Sequence, residues 1–292
     1  CFGFLGYKNA RYGRIEAHEA VTKGGREVLL RAKEVAEEEG FEVLHMYVDA
    51  LWLKKKGCSK PEHFEDVMHK ISSRTGLAIA LDGIYRWVAF LPSKTDPRVP
   101  IPNRYFGVFQ SGEIKVRGLE ARRRDTPRWI AQVQTEMLTC LGQAKTRAEL
   151  PEALHAAFQV YEQSVRKLKQ GQVPPELLVV NGKVSYALEA YKSATASVRA
   201  ARQLQAAGMQ IRPGQRVRFL FMQGEPDVYA WELGGQVDPA KLDQHKYMQL
   251  LAKAGGSVLQ PFGIDPQVLM EWTLKGGIQL PLDTWNKALL EV

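Results

Sequence analysis

The stretch Glu42-Val-Leu-His-Met-Tyr47-Val48-Asp49-Ala50-Leu51-Trp52-Leu53 constrains the fold more than any other part of the chain, because helical patterns bracket it on both sides. It reads as a strand, a tight bend and a second strand. The first arm is rich in β-formers, and the basic run Lys54-Lys-Lys-Gly57 marks the exit. One carboxylate, Asp49, falls at the bend. A carboxylate on a hairpin tip between apolar strands is a natural place for a hard cation such as Mg²⁺, which takes oxygen ligands held on rigid elements. An aspartate in an ordinary surface turn is the alternative.

Around this hairpin the periodicity alternates between helix and strand. Residues from about 15 to 40 carry a helical pattern through Val28, Leu29, Ala32, Val35 and Ala36, broken by Glu37-Glu-Glu-Gly40. Pro61 opens a second helix with Phe64, Val67, Met68 and Ile71 at helical spacing. Leu77 to Leu91 then alternates, and the pattern predicts two strands bent at Asp82-Gly83. Four prolines (Pro92, Pro97, Pro100 and Pro102) come within a short stretch and suggest a connecting segment. A basic strand pair comes next, Arg104 to Gln110 and Glu113 to Leu119. After that the chain turns helical: from Pro127, from Pro151 with Leu154, Phe158, Tyr161, Val165 and Leu168 on one stripe, and from Tyr191 to Ala207. Arg216 to Met222 reads as a strand. The order fits an α+β fold, an antiparallel-sheet part with packed helices followed by a mostly α-helical part.

Composition is that of a globular protein: 292 residues, 45% hydrophobic and 25% charged. No apolar run approaches the roughly 20 residues that cross a bilayer, and no secretory signal pattern opens the chain. Three cysteines (Cys1, Cys58 and Cys140) form neither a disulfide framework nor a zinc pair, which suits a reducing cytoplasm. The net charge of +8 is unevenly placed. Residues 94–128 hold nine Lys/Arg against four Asp/Glu, with Tyr105, Phe106 and Trp129 interleaved or adjacent. Such a segment suits phosphate contact, and a solvated charged face is the plain alternative.

Four motifs in order resemble family B DNA polymerases. Phe2-Gly3-Phe4-Leu5-Gly6-Tyr7 through Tyr12-Gly13 is similar to the end of the fingers motif and the segment after it, with Phe2 where the family has Tyr. Tyr47-Val48-Asp49-Ala50-Leu51 resembles the palm signature Tyr-x-Asp-Thr-Asp, with Ala50 in place of Thr and Leu51 in place of the second Asp. Asn103-Arg104-Tyr105-Phe106-Gly107 resembles the Lys-Lys-Arg-Tyr segment. Val116-Arg117-Gly118-Leu119-Glu120-Ala-Arg-Arg123-Arg124-Asp125 resembles the Lys/Arg-Gly-Leu-Glu-x-x-Arg-Arg-Asp junction of palm and thumb.

The resemblance implies a palm part over residues 1–100, preceded by the end of the fingers motif, and a thumb over 101–292 with the junction at 101–128. It implies that Phe2 and Gly3 border the nucleotide pocket. It also implies that Arg104, Tyr105, Arg117, Gly118, Glu120, Arg123, Arg124 and Asp125 follow duplex DNA. The second hairpin Asp, a shared ligand of both catalytic metals in the family, is Leu51 here, so Asp49 and Leu51 are vestiges of a catalytic pair. A supporting palm acid motif survives only as Asp82 in Leu77-Ala-Ile-Ala-Leu-Asp82-Gly83. Near the C-terminus, Gln279, Leu282 and Trp285 follow the spacing of a sliding-clamp-binding box, and an amphipathic helix packing Leu282, Trp285 and Leu289 inward is the alternative.

The resulting expectation is a C-terminal polymerase fragment that binds primer–template or duplex DNA, catalytically inactive, serving replication or repair in the cytoplasm at the nucleoid. Its partners would be DNA, the missing N-terminal part of the same polymerase and a possible sliding clamp, with no membrane. No cofactor or metal is expected, with Mg²⁺ entering only if the polymerase site were active. An active full-length DNA-directed polymerase and a clamp- or protein-interaction module are the rival readings.

Overall fold

A computed structural model describes residues 2–93, 95–96 and 99–275 of the chain. It divides into two compact units. One runs to Tyr85 and includes Phe109–Ser111, and the other is built from Arg86–Val108 and the chain from Gly112 on.

The first unit contains α1 (Phe2–Leu5), α2 (Ile15–Glu38), β1 (Glu42–Tyr47), β2 (Ala50–Lys54) and α3 (Glu65–Thr75). Only the last third of α2 is buried, at Ala32, Val35 and Ala36. Its solvated face carries the i,i+4 pairs Glu27–Arg31 and Lys33–Glu37. Gly40 ends the helix at φ 76°, where the Phe41 N–H donates back to the Ala36 carbonyl at 2.9 Å. That is the glycine stop the sequence pattern predicts. The core joins those residues to Phe41, Phe64, Val67 and Ile71, with Val43, Leu51 and Leu53 packed against it. An isolated pair of strands is marginal in water, so β1 and β2 depend on this cover.

The hairpin turns on two residues, Val48 and Asp49, with Tyr47 opposite Ala50 and Met46 opposite Leu51. Val48 has φ 54°, a left-handed conformation for a β-branched residue. Val48→Asn is expected to raise stability by about 1 kcal/mol, since Asn tolerates that conformation. Urea unfolding checks it; a lower midpoint would show that Val48's contacts outweigh its backbone.

The predicted strand pair across Asp82-Gly83 does not form. Leu77 to Ile84 has no regular structure, and Leu77, Ile79 and Leu81 are exposed. Alternation alone does not make a strand. The partner of the following strand is found downstream, and this segment has none.

That strand is β3 (Tyr85–Pro92), which is hydrogen-bonded to β4 (Pro100–Phe109), itself paired antiparallel with β5 (Ile114–Arg117). The proline-rich segment therefore links two neighbouring strands, with Pro92 closing β3 and Pro100 opening β4, and the compact units divide upstream of it at Tyr85. Helices α4 (Arg128–Gly142) and α5 (Leu150–Lys169) come next. The α5 stripe of Leu154, Phe158, Tyr161, Val165 and Leu168 is buried as its spacing predicts.

A second three-stranded sheet contains β6 (Val180–Lys183), β7 (Arg216–Phe221) and β8 (Val228–Ala230) in that order, with α6 (Ala196–Ala206) between β6 and β7 in the chain. Only β7 is legible as a strand in the sequence. The unit continues with α7 (Gln244–Leu259) and α8 (Pro266–Lys275). Gly255 lets α7 approach α5: a Cβ there would stand 2.5 Å from the Tyr161 ring. The Tyr161 hydroxyl is buried and hydrogen-bonded to Thr273.

Candidate nucleic-acid interface

The residues singled out between Arg104 and Asp125 come together in the second unit as two different kinds of group. The first is an internal polar network. The register of β4 and β5 sets Tyr105 opposite Arg117. The turn at Gly118 (φ 68°) brings the backbone so close that a Cβ there would lie 2.2 Å from the Asn103 carbonyl oxygen. Arg104 donates from Nε to the Gly118 carbonyl at 3.1 Å, and from Nη2 to Glu120 at 3.1 Å and to the Ser257 hydroxyl at 2.9 Å. Glu120 is buried, and its second oxygen accepts from the Gln134 amide at 3.0 Å. Gln134, fully buried on α4, also donates to the Ala254 carbonyl and accepts from the Ala121 N–H. A buried carboxylate is tolerated because both of its oxygens are hydrogen-bonded.

This network fixes the junction to α4 and α7. Motif spacing did not point to Gln134 or Ser257. The available signal was a glutamine on an otherwise apolar stripe, between Val133 and Met137.

The second kind of group is exposed. Arg117, Arg122, Arg124 and Arg128 are exposed and make no ion pair among the described residues. Arg123 is exposed but paired: Nε and Nη2 reach the two Asp125 oxygens at 2.9 and 2.6 Å. This bidentate contact, foremost among several influences, holds the Asp125 carboxyl below its ordinary value and raises Arg123. A depressed carboxylate contributes stability above its unfolded pKa and loses it as the pH falls through the folded one. Both side chains are 48% exposed, so the contribution is below about 1 kcal/mol.

The aromatic residues do not interleave with these arginines at the surface. Phe106 is fully buried, and Tyr105 is 6% exposed with its ring 5.5 Å from that of Phe90. Trp129 packs against the core. They belong to the fold because β4 is buried continuously from Tyr105 to Phe109, so both of its faces are covered there, and α4 turns its apolar side inward.

In the first unit, Asp49 is exposed at the hairpin turn, while Leu51 packs against the core of α2 and α3. Phe2 is exposed and stacks on His18 at 4.0 Å, and Gly3 has open space around it. Gln279, Leu282 and Trp285 lie outside the described residues. Among the described residues no helix is long and apolar enough to cross a membrane.

Residues 102–255 match the sequence profile of DNA polymerase family B. The match spans more than half of the chain, and the chain belongs to that family. It is similar to a DNA polymerase of Pyrococcus glycovorans, 28% identical over 84% of this chain and 30% of that protein. It is also similar to DNA polymerase 2 of Aeropyrum pernix, 28% identical over 94% of this chain and 32% of that protein. The fold is like that of the family B DNA polymerase of Pyrobaculum calidifontis, with a TM-score of 0.59 at 23% identity, over 90% of this chain and 32% of that one. The chain thus spans about a third of the length of each of these relatives.

The family's chemistry implies metal ions held by carboxylates. The residues of this hairpin do not fit that task. Asp49 is a lone turn carboxylate, and Leu51 offers no oxygen. Among the described residues no three His, Cys, Asp or Glu side chains are grouped to hold a metal.

Proposed function

We propose that this chain binds duplex or primer–template DNA through the exposed arginines of a palm–thumb junction and does not itself catalyse nucleotide transfer. The observation that carries the reading is the split within one motif. Arg104, Gly118 and the buried Glu120 build a hydrogen-bonded scaffold, while Arg117, Arg122, Arg124 and Arg128 are exposed and make no ion pair among the described residues. Unpaired guanidiniums on a rigid support suit phosphate oxygens. In this reading residues 1–100 are the palm part and 101–292 the thumb, and Arg123 with Asp125 is a neutral brace. The chain works with the remaining part of a polymerase in replication or repair, in the cytoplasm at the nucleoid, and a clamp box at Gln279, Leu282 and Trp285 adds a second partner.

Binding to a random-sequence duplex should show little sequence preference and fall steeply with salt. Each phosphate contact contributes about 0.9 to the log–log slope, so the four unpaired arginines correspond to a slope of about −3 to −4. An anisotropy titration at several salt concentrations measures it. Absence of binding, or a slope near zero, would remove the DNA reading.

A further inference from the structure

A cleft of about 360 Å³ opens in the second unit, lined by Thr126, Arg128, Glu176, Asn181, Arg218 and Trp231 together with Val179. We propose that it receives an unpaired nucleotide at a single-stranded end of DNA, with the base stacked on the Trp231 indole. The proposal rests on the DNA-binding reading above and adds the kind of DNA end that is recognised.

Three observations support it. The volume lies within the range of small-ligand sites, about 300–1,000 Å³. Thr126, Arg128, Glu176, Asn181 and Trp231 line the cleft, Trp231 also packing against the core, and none of their side chains makes a hydrogen bond or ion pair among the described residues. Arg218 is held by Glu232 through Nε at 3.0 Å, and its Nη atoms make no hydrogen bond among the described residues. Their chemistry is mixed rather than basic. Arg128 and Arg218 are balanced by Glu176 in the lining and by Glu232, the ion-pair partner of Arg218.

A phosphate-only ligand would prefer an excess of positive charge. The Watson–Crick edge of a base presents donors and acceptors together, which is what the Asn181 amide, the Glu176 carboxylate and the guanidiniums match. In a duplex that edge is occupied, so the ligand is an unpaired base. The indole adds the stacking surface that single-strand binders use, and stacking tolerates any base. Thr126 and Arg128 lie within three residues of Asp125, so DNA held by the junction arginines delivers its end beside the cleft.

The test compares a blunt duplex, the same duplex with a short mixed-sequence single-stranded tail, and one with an abasic tail, all titrated with the full chain. The normal tail should bind about tenfold tighter than the blunt duplex, and the abasic tail should not. Trp231→Ala should abolish the difference while leaving blunt-duplex binding unchanged. Trp231→Phe should retain most of it, and Asn181→Ala should reduce it several-fold while leaving Trp231 in place. Equal binding of blunt and tailed DNA, a preference kept by the abasic tail, or one that survives Trp231→Ala would overturn the proposal. Failure to bind the blunt duplex at all would instead defeat the DNA reading on which it rests.

Discussion

Gly118→Ala should cost the chain about 3 kcal/mol of stability. Two causes add. The residue sits at φ 68°, where an L side chain costs about 1 kcal/mol. The added Cβ would also stand 2.2 Å from the Asn103 carbonyl oxygen and 2.9 Å from Arg104 Cγ. The first of these is backbone, so no side-chain rotation relieves it. The pairing of Tyr105 with Arg117 holds both strands in place, and moving either displaces the Arg104 guanidinium from Gly118, Glu120 and Ser257. Denaturant unfolding should therefore show a lowered midpoint. An unchanged midpoint would mean the turn opens at little cost and the network is not held by it.

Arg117→Glu with Arg124→Glu should weaken duplex binding by about a hundredfold at low salt and flatten the salt slope by about two, equally for all sequences. Both side chains are exposed and make no ion pair among the described residues, so the change should leave the fold as it is. The contrasting variant is Arg123→Ala with Asp125→Ala, which removes a pair that is already neutral. It should leave the slope nearly unaltered. If that pair variant flattened the slope as much as the charge reversals, the guanidinium of Arg123 would have to leave Asp125 to meet DNA, and the brace would be misassigned.

The hairpin was legible because its β-formers, its bend and the glycine stop at Gly40 all point to one local structure. Leu51 reads in the sequence as an apolar residue where the resembled signature has its second Asp, and the fold shows it packed with Val43 and Leu53 against the core of α2 and α3. The failures share a cause: the partner lies far along the chain. Leu77 to Ile84 alternates like a strand yet has no ladder to join. β6 is four residues long, contains Asn181-Gly182 and pairs with β7 more than thirty residues later. Nothing local announces it. For Arg104, which the resemblance places along DNA, the contacts to Gly118, Glu120 and Ser257, the last of them on α7, are likewise distant in sequence. Motif spacing picked out the residues of the junction as a group. It could not separate those that hold it together from those that face outward, because that division depends on burial.

Primer extension tests the central claim most directly. The chain is incubated with a primed template, the four deoxynucleoside triphosphates and Mg²⁺ or Mn²⁺, and the primer is sized while binding is followed in the same reaction. The account predicts a bound primer–template whose primer is not lengthened, with Leu51→Asp alone failing to restore synthesis because Asp49 and one new carboxylate on a hairpin do not by themselves make a two-metal ligand set. Template-directed lengthening that survives purification and disappears in Asp49→Ala would contradict it.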